Sequence, residues 1–213
     1  DKGADSFYDG ALRVLKTEDG ANYAAVPISG WVQGVWYNKK AFQEKGLKEP
    51  ETWEDILAAA KAFNDPANKK YGIALATAKS VMTEQVFSQF ALSNGANVLN
   101  GEGKAALDTP EMKEAIEYYQ ELAKYTMPGS NDVSQVKDAF LNGSAPMVIY
   151  STYILPAAYK EGITDDLGYA VPTKKQGSAF GVVSALTITN GLDDNQKAAA
   201  EKFVAFMLKD QSN

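Results

Sequence analysis

The stretch 26–40, VPISGWVQGVWYNKK, restricts the fold of this chain more than any other segment. A proline-bounded apolar run over Tyr23–Ile28 reads as a strand, Ser29-Gly30 reads as a bend, and a second strand follows over Gly34–Tyr37. Extended runs of this kind need partners, and the rest of the chain supplies them in alternation with helices. Tyr71–Ala76, Pro146–Tyr150, Leu167–Val171 and the run from Phe180 to about Thr189 all read as strands. Strands alternating with helices imply an α/β fold, a sheet with helices on its faces.

The helices announce themselves by their ends. A short one is expected over Ser6–Leu15, carrying Phe7, Tyr8, Leu12 and Leu15 at helical spacing, and another from Lys39 to the stop at Gly46. Thr52 caps a helix running to about Phe63, its hydroxyl taking a free backbone N–H while Asp55 reaches back. Val81–Ser93 ends at Asn94-Gly95. Thr109-Pro110-Glu111 opens a helix whose apolar positions are Met112, Ile116, Tyr119 and Leu122. Val133–Leu141 ends at Asn142-Gly143, and Tyr153–Lys160 tolerates Pro156 only in its first turn. The last helix, Asp194–Leu208, is expected to turn Ala198, Phe203 and Phe206 inward.

Composition removes many functions. The 213 residues are 45% hydrophobic and 23% charged, as in an ordinary globular protein. A net charge of −6 with scattered lysines opposes nucleic-acid binding, which needs clustered cations to displace phosphate counterions. There is no cysteine and no histidine, so disulfides, thiol catalysis, a Ser-His-Asp triad and histidine-ligated zinc are all excluded. No run approaches the ~18 apolar residues of a membrane span. Asp1-Lys2-Gly3-Ala4-Asp5 is too polar for a signal peptide, which fits a mature chain, a trimmed one or a fragment. No P-loop, GxGxxG or calcium-loop pattern occurs, and no cofactor is expected.

Several motifs, taken in order, resemble the family 1 extracellular solute-binding proteins, the maltose-binding-protein-like receptors of ABC sugar importers. They are VPISGWVQGVWYNKK at 26–40, PETWED at 50–55, NDPANKKYGIAL at 64–75, SNGA at 93–96, DTPE at 108–111, FLNGSAPM at 140–147, AVP at 170–172 and Phe180-Gly181. Each alone is common; their order and spacing along nearly the whole chain carry the resemblance. It implies a periplasmic-binding-protein-like type II fold, present as a fragment, since family members run to roughly twice this length. On that reading residues 1–29 and 183–213 belong with the first lobe and its hinge, and residues 30–182 form the second, ligand-binding lobe. It further implies reversible capture of a small carbohydrate solute, an oligosaccharide, delivery to membrane permease subunits of an ABC transporter, an extracytoplasmic location (periplasmic or lipid-anchored), a monomeric complete receptor and no catalysis.

A sugar has hydroxyls at its edge and C–H groups on its faces, so its site needs aromatic plates and fixed polar groups. The resemblance places Trp31 and Gln33 on the cleft floor, Thr83, Glu84 and Gln85 at a ligand-facing loop, and Phe180 at the second crossing between lobes. Tyr150 and Tyr153 bracket the end of a buried strand, and Tyr153 matches the family's ligand-stacking aromatic. Against this, the alternative for Trp31 is lobe core, while Phe180 could equally be hinge packing and Glu84 a surface acid; Trp36, Tyr37 and Trp53 read as core. A carbohydrate-active enzyme and an interaction module derived from a binding protein are the competing readings. The enzyme needs two carboxylates ~5–10 Å apart, and Glu84 is the only acid the reading brings near the cleft.

Overall fold

Val26–Asn38 form one unbroken strand of 13 residues, β1. The expected bend at Ser29-Gly30 is therefore absent, and Gly30 has a different use. A Cβ there would lie 2.7 Å from the Val182 carbonyl oxygen of β4 (Gly181–Leu186), the strand that pairs with β1. The glycine admits a close strand instead of turning the chain. The computed structural model describes residues 3–209; residues 1–2 and 210–213, the outermost parts of the expected segments 1–29 and 183–213, lie outside the described residues.

The chain divides into two compact units, one of Val32–Phe180 and the other of the described parts of Asp1–Trp31 and Gly181–Asn213. In the larger unit β1 is central and antiparallel to both neighbours. Gln33 to Tyr37 pair with β2 (Met147–Ser151), Gln33 opposite Ser151 and Tyr37 opposite Met147. On the other edge Val35 to Asn38 pair with β3 (Leu167–Ala170). Every residue of β2 is buried, as expected of a strand covered on both faces.

The expected strand 71–76 is buried but forms a single parallel bridge, Ala74 to Val148. Only the Ala74 N–H reaches β2, at the Met147 carbonyl; those of Gly72 and Ile73 go to the Tyr125 carbonyl, that of Tyr71 to the Ser144 carbonyl and that of Leu75 to the Thr126 hydroxyl. Side-chain and loop acceptors thus replace most of a ladder.

Helices cover this sheet much as their end signals predict. α2 is Lys39–Glu44, stopped where Gly46 takes φ +64°. α3 (Trp53–Phe63) starts at Thr52, whose hydroxyl oxygen accepts from the Asp55 N–H at 3.1 Å. Asp55 reaches back to that hydroxyl, at 2.7 Å, and not to the backbone as expected. α4 is Val81–Ser93, α5 Pro110–Leu122 and α6 Val133–Leu141, the last closed by a full capping box from Asp132 and Gln135. A 3-10 turn over Thr152–Ile154 leads into α7 (Leu155–Lys160), with Pro156 in its first turn as required.

Aromatic rings lock α3, α4 and α5 together. Trp53 stacks on Tyr118 at 4.2 Å, and Phe90 packs against both, 5.9 Å from Trp53 and 5.2 Å from Tyr118. The polar tips are matched: the Trp53 indole donates to the Ser93 hydroxyl, Tyr118 to the Trp53 carbonyl, Tyr119 to the Ala76 carbonyl. Trp36, Tyr37 and Trp53 are all core residues.

In the smaller unit the expected helix over Ser6–Leu15 is cut down to a 3-10 turn at Ala4–Ser6 and α1, Asp9–Arg13. α8 (Asp194–Met207) forms behind the Asp193 cap, but none of its residues is buried, and Phe203 and Phe206 are each 55% exposed. The inward face expected of Ala198, Phe203 and Phe206 is thus not realised among the described residues, because this unit has too few elements to cover it.

Burial raises the Tyr37 phenol to about 12, with the Glu49 charge adding to the effect, and burial pushes Tyr118 and Tyr119 higher still. A phenol raised above its ordinary value near 10 holds its proton in the folded chain after the unfolded chain has released it. The stabilisation is therefore intact below pH 10 and is lost as pH climbs through 12. Phenolate absorbance followed beside far-UV circular dichroism should show these three tyrosines ionising only as helix signal collapses. Full tyrosine ionisation near pH 10 with native dichroism would contradict the buried placement.

Candidate functional site

Along β1 successive side chains alternate faces, which sets Gln33, Val35 and Tyr37 on one side and Gly34 and Trp36 on the other. Gln33 is only 2% exposed, and each end of its carboxamide is bonded to α4. Its Nε2 donates to Gln85 Oε1 at 3.0 Å and lies 3.9 Å from the Met82 sulfur; its Oε1 accepts from Gln89 Nε2 at 2.9 Å. Positions 82, 85 and 89 fall on one helix face, so a single strand residue engages one stripe of α4. The Gln33 backbone is held as firmly: its N–H donates to the Phe180 carbonyl at 2.7 Å, and its carbonyl accepts from the Tyr169 hydroxyl at 3.1 Å.

On the opposite face the Tyr169 ring lies over Gly34, where a Cβ would approach it to 2.5 Å. Tyr169 also packs on Trp36 at 4.8 Å, and burial raises its phenol. The Trp36 indole donates to the Tyr150 carbonyl at 2.9 Å. β1 thus carries a carboxamide cluster on one face and an aromatic sheath on the other.

The remaining expected ligand residues differ in setting. Gln85 is half-buried beside Gln33. Thr83 donates its hydroxyl to the Ala78 carbonyl at 2.6 Å, closing the turn before α4. Glu84 is exposed, its carboxylate and carbonyl both accepting from the Ser88 hydroxyl one turn on, as in an ordinary helix-surface acid. Tyr150 is buried at the end of β2, its phenol raised by burial and then by the Asp138 charge. Tyr153 is 67% exposed in the 3-10 turn that follows, its N–H held by the Ser151 hydroxyl at 3.4 Å. Phe180, the last residue of the larger unit, is half-buried, and Trp31, in the smaller unit, is half-buried.

The structure therefore joins Gln33 and Gln85 directly and Phe180 through its carbonyl, while Thr83 and Glu84 are occupied by local bonds of α4. Gln89 and Tyr169 belong to the cluster and were missed. The four-residue spacing of Gln85 and Gln89 in a predicted helix could have flagged the first; nothing local marks the second. Three concavities of the larger unit, about 220, 450 and 370 Å3, lie around Trp53 and Lys174, Tyr71 and Met127, and Thr52 and Thr173 respectively, and none is lined by an expected ligand residue. Among the described residues no group of three or more acids could hold a metal ion, and no helix is long and apolar enough to cross a membrane. Carboxamides, hydroxyls and rings form the cluster, groups that bind polar molecules without exchanging protons near neutral pH.

A family model described as bacterial extracellular solute-binding protein matches residues 1–213. The putative ABC transporter periplasmic-binding protein YcjN of Escherichia coli K12 is 58% identical over 205 residues, which is 96% of this chain and 48% of that protein. A solved ABC transporter solute-binding protein from Agrobacterium radiobacter K84, in complex with ribitol, superposes with a TM-score of 0.79 at 25% identity, over 98% of this chain and 54% of that one. Another from Agrobacterium vitis S4, with bound D-mannitol, gives 0.74 at 28% identity, over 98% and 53%. The chain spans about half the length of the relatives it matches.

The fit of Tyr169 over Gly34 yields a test. Gly34→Ala sets a methyl against the ring and 2.8 Å from the Ala170 carbonyl oxygen. It should cost about 2 kcal/mol, a fall of roughly 5 °C in Tm. Gly101→Ala, with nothing within 4 Å of the new carbon, should change stability by less than ~0.5 kcal/mol. Equal melting of the two variants would refute the close approach.

Proposed function

The chain belongs to the bacterial extracellular solute-binding protein family, and on that premise we propose that it is part of a receptor that captures a small carbohydrate outside the cytoplasm for an ABC importer. The family is one of binding proteins, not enzymes. What supports the carbohydrate reading is the full-length family match together with a site composed of neutral hydrogen-bonding groups and rings, the chemistry that hydroxyl-rich, uncharged solutes require. The relatives solved with ribitol and D-mannitol bind such solutes, so sugar alcohols stand beside sugars as candidate ligands.

In this proposal residues 30–182 supply the second ligand-binding lobe, and residues 1–29 and 183–213 belong to the first. Trp31, Tyr153 and Phe180 offer ring faces, of which Tyr153 is the best exposed. Gln85, with Thr83 and Glu84, supplies polar contacts, while Gln33 and Tyr150 act from the buried layer beneath. The complete receptor closes by hinge bending and presents its closed state to permease subunits.

Half of a site binds weakly. A micromolar receptor, about −8 kcal/mol, that keeps half its contacts falls toward a millimolar one, about −4 kcal/mol. Titration calorimetry of the 213-residue chain with maltose, maltotriose, D-mannitol and ribitol should give dissociation constants of about 1 mM for the preferred probe. Tyr153→Ala should weaken that probe about tenfold, as expected for losing a stacking plate. Nanomolar binding would overturn the half-site picture, and indifference to Tyr153→Ala would remove Tyr153 from the site.

A further inference from the structure

The three carboxamides of the cluster point one way. Gln89 donates to Gln33, and Gln33 donates to Gln85, so each amide passes a hydrogen bond outward from the interior. Gln89 is fully buried, Gln33 nearly so and Gln85 half-buried. At the inner end Gln89 Oε1 has no partner among the described residues. At the outer end Gln85 has spent its oxygen on Gln33, and among the described residues nothing accepts from its Nε2.

Two features fix the direction. Reversing Gln33 would turn its Oε1 toward the Met82 sulfur, now 3.9 Å from Nε2, and a thioether can accept but never donate. A reversed Gln33 would also oppose its nitrogen to the Gln89 nitrogen unless Gln89 turned as well. Burying an unpaired acceptor at Gln89 is unfavourable, and a leucine or methionine would avoid it. What glutamine gives in return at that position is a donor aimed at Gln33.

We infer that Gln89, Gln33 and Met82 are positioning residues that hold Gln85 with its Nε2 outward, so that this point of the site is a fixed hydrogen-bond donor for an acceptor oxygen of the solute. That Gln85 meets a solute rests on the function proposed above; the direction of the relay does not. Glutamine alone does not specify donor or acceptor, because its amide turns over at little cost; the buried relay makes that choice before any solute arrives. Preorganisation of this kind spares the complex the cost of orienting the group on binding.

Hydrogen exchange of the glutamine side-chain amides, resolved by NMR in the 213-residue chain, tests the direction. Both Gln85 protons should exchange at least about ten times faster than those of Gln33, since of these two only Gln33 donates within the cluster. Comparable protection of Gln85 and Gln33 would overturn the inference. Gln89→Leu removes the inner donor, one of the two features that orient Gln33, so its preference weakens and Gln85 should gain protection; an unchanged Gln33-to-Gln85 ratio would show that Gln89 does not set the direction. Should that variant fail to fold, the wild-type ratio decides alone.

Binding supplies a separate arm, with D-mannitol and ribitol as probes. Gln85→Glu keeps the inward acceptor but replaces the outward nitrogen by oxygen. Probe affinity should fall about tenfold while Tm and the protection of Gln33 and Gln89 hold. Unchanged affinity for a probe that binds the parent chain would overturn the donor role. If neither probe binds the parent chain, capture of these alditols fails, and the exchange ratio still decides the relay.

Discussion

A strand buried on both faces must match each peptide N–H and C=O, and β1 does so with β2 on one edge and β3 on the other. The same requirement extends to its side chains. Gln33 carries a polar amide into the interior of the larger unit, where leaving it unpaired would cost about 1–3 kcal/mol. Its solution is α4, whose Met82, Gln85 and Gln89 receive it. Once Gln33 is fixed, the register of β1 against β2 and the rotation of α4 about its axis are fixed with it. Slipping β1 by one residue would send Gln33 to the aromatic face and Trp36 toward the helix.

The helices are held at the far side of this joint by a second set of matched groups. Trp53, Phe90 and Tyr118 bring α3, α4 and α5 into one aromatic layer, and each buried polar tip ends on a named acceptor. Ring packing alone would let the helices slide by an ångström or so at small cost. A phenol or indole bonded to a specific carbonyl or hydroxyl does not, because sliding orphans it. Precision at Gln85 therefore originates partly in residues remote from it. The sheet sets the position of Gln33, the aromatic layer sets α4, and the amide bond between them inherits both.

Features encoded by neighbours in sequence were legible. Thr52, Thr109 and the Asn-Gly stops mark their helix ends because a cap needs only residues within one turn. Features decided by distant neighbours were not. Ser29-Gly30 has the composition of a bend, yet the glycine serves the approach of β4, some 150 residues on in the chain. Tyr71–Ala76 has the composition of a strand, yet Tyr125 and Thr126 take the donors of Gly72, Ile73 and Leu75 and only that of Ala74 reaches β2. Phe203 and Phe206 have helical spacing, which shows an apolar face but not what would cover it. For the candidate site, glutamine and tyrosine are visible in sequence as ring and amide; whether Gln33 meets solvent or α4 depends on packing. The directional relay through Gln89 needed the fold.

The choice of carboxamides over carboxylates follows from the same burial. An ionised acid at position 33 or 89 would lose its hydration, and two of them would repel, so their pKa values would rise and their charge would become dependent on pH. Amides offer donors and acceptors without net charge, and their direction can be set once by neighbours and kept. Such groups discriminate between polar solutes through hydrogen-bond geometry while leaving each contact weak enough to release, because neutral pairs are roughly half as strong as charge-assisted ones. Glu84, the one carboxylate expected near the site, bonds Ser88 on the exposed side of α4, leaving the buried stripe of that helix wholly neutral. An acidic protein of net charge −6 thus reserves the layer around Gln33 for groups whose state does not change near neutral pH.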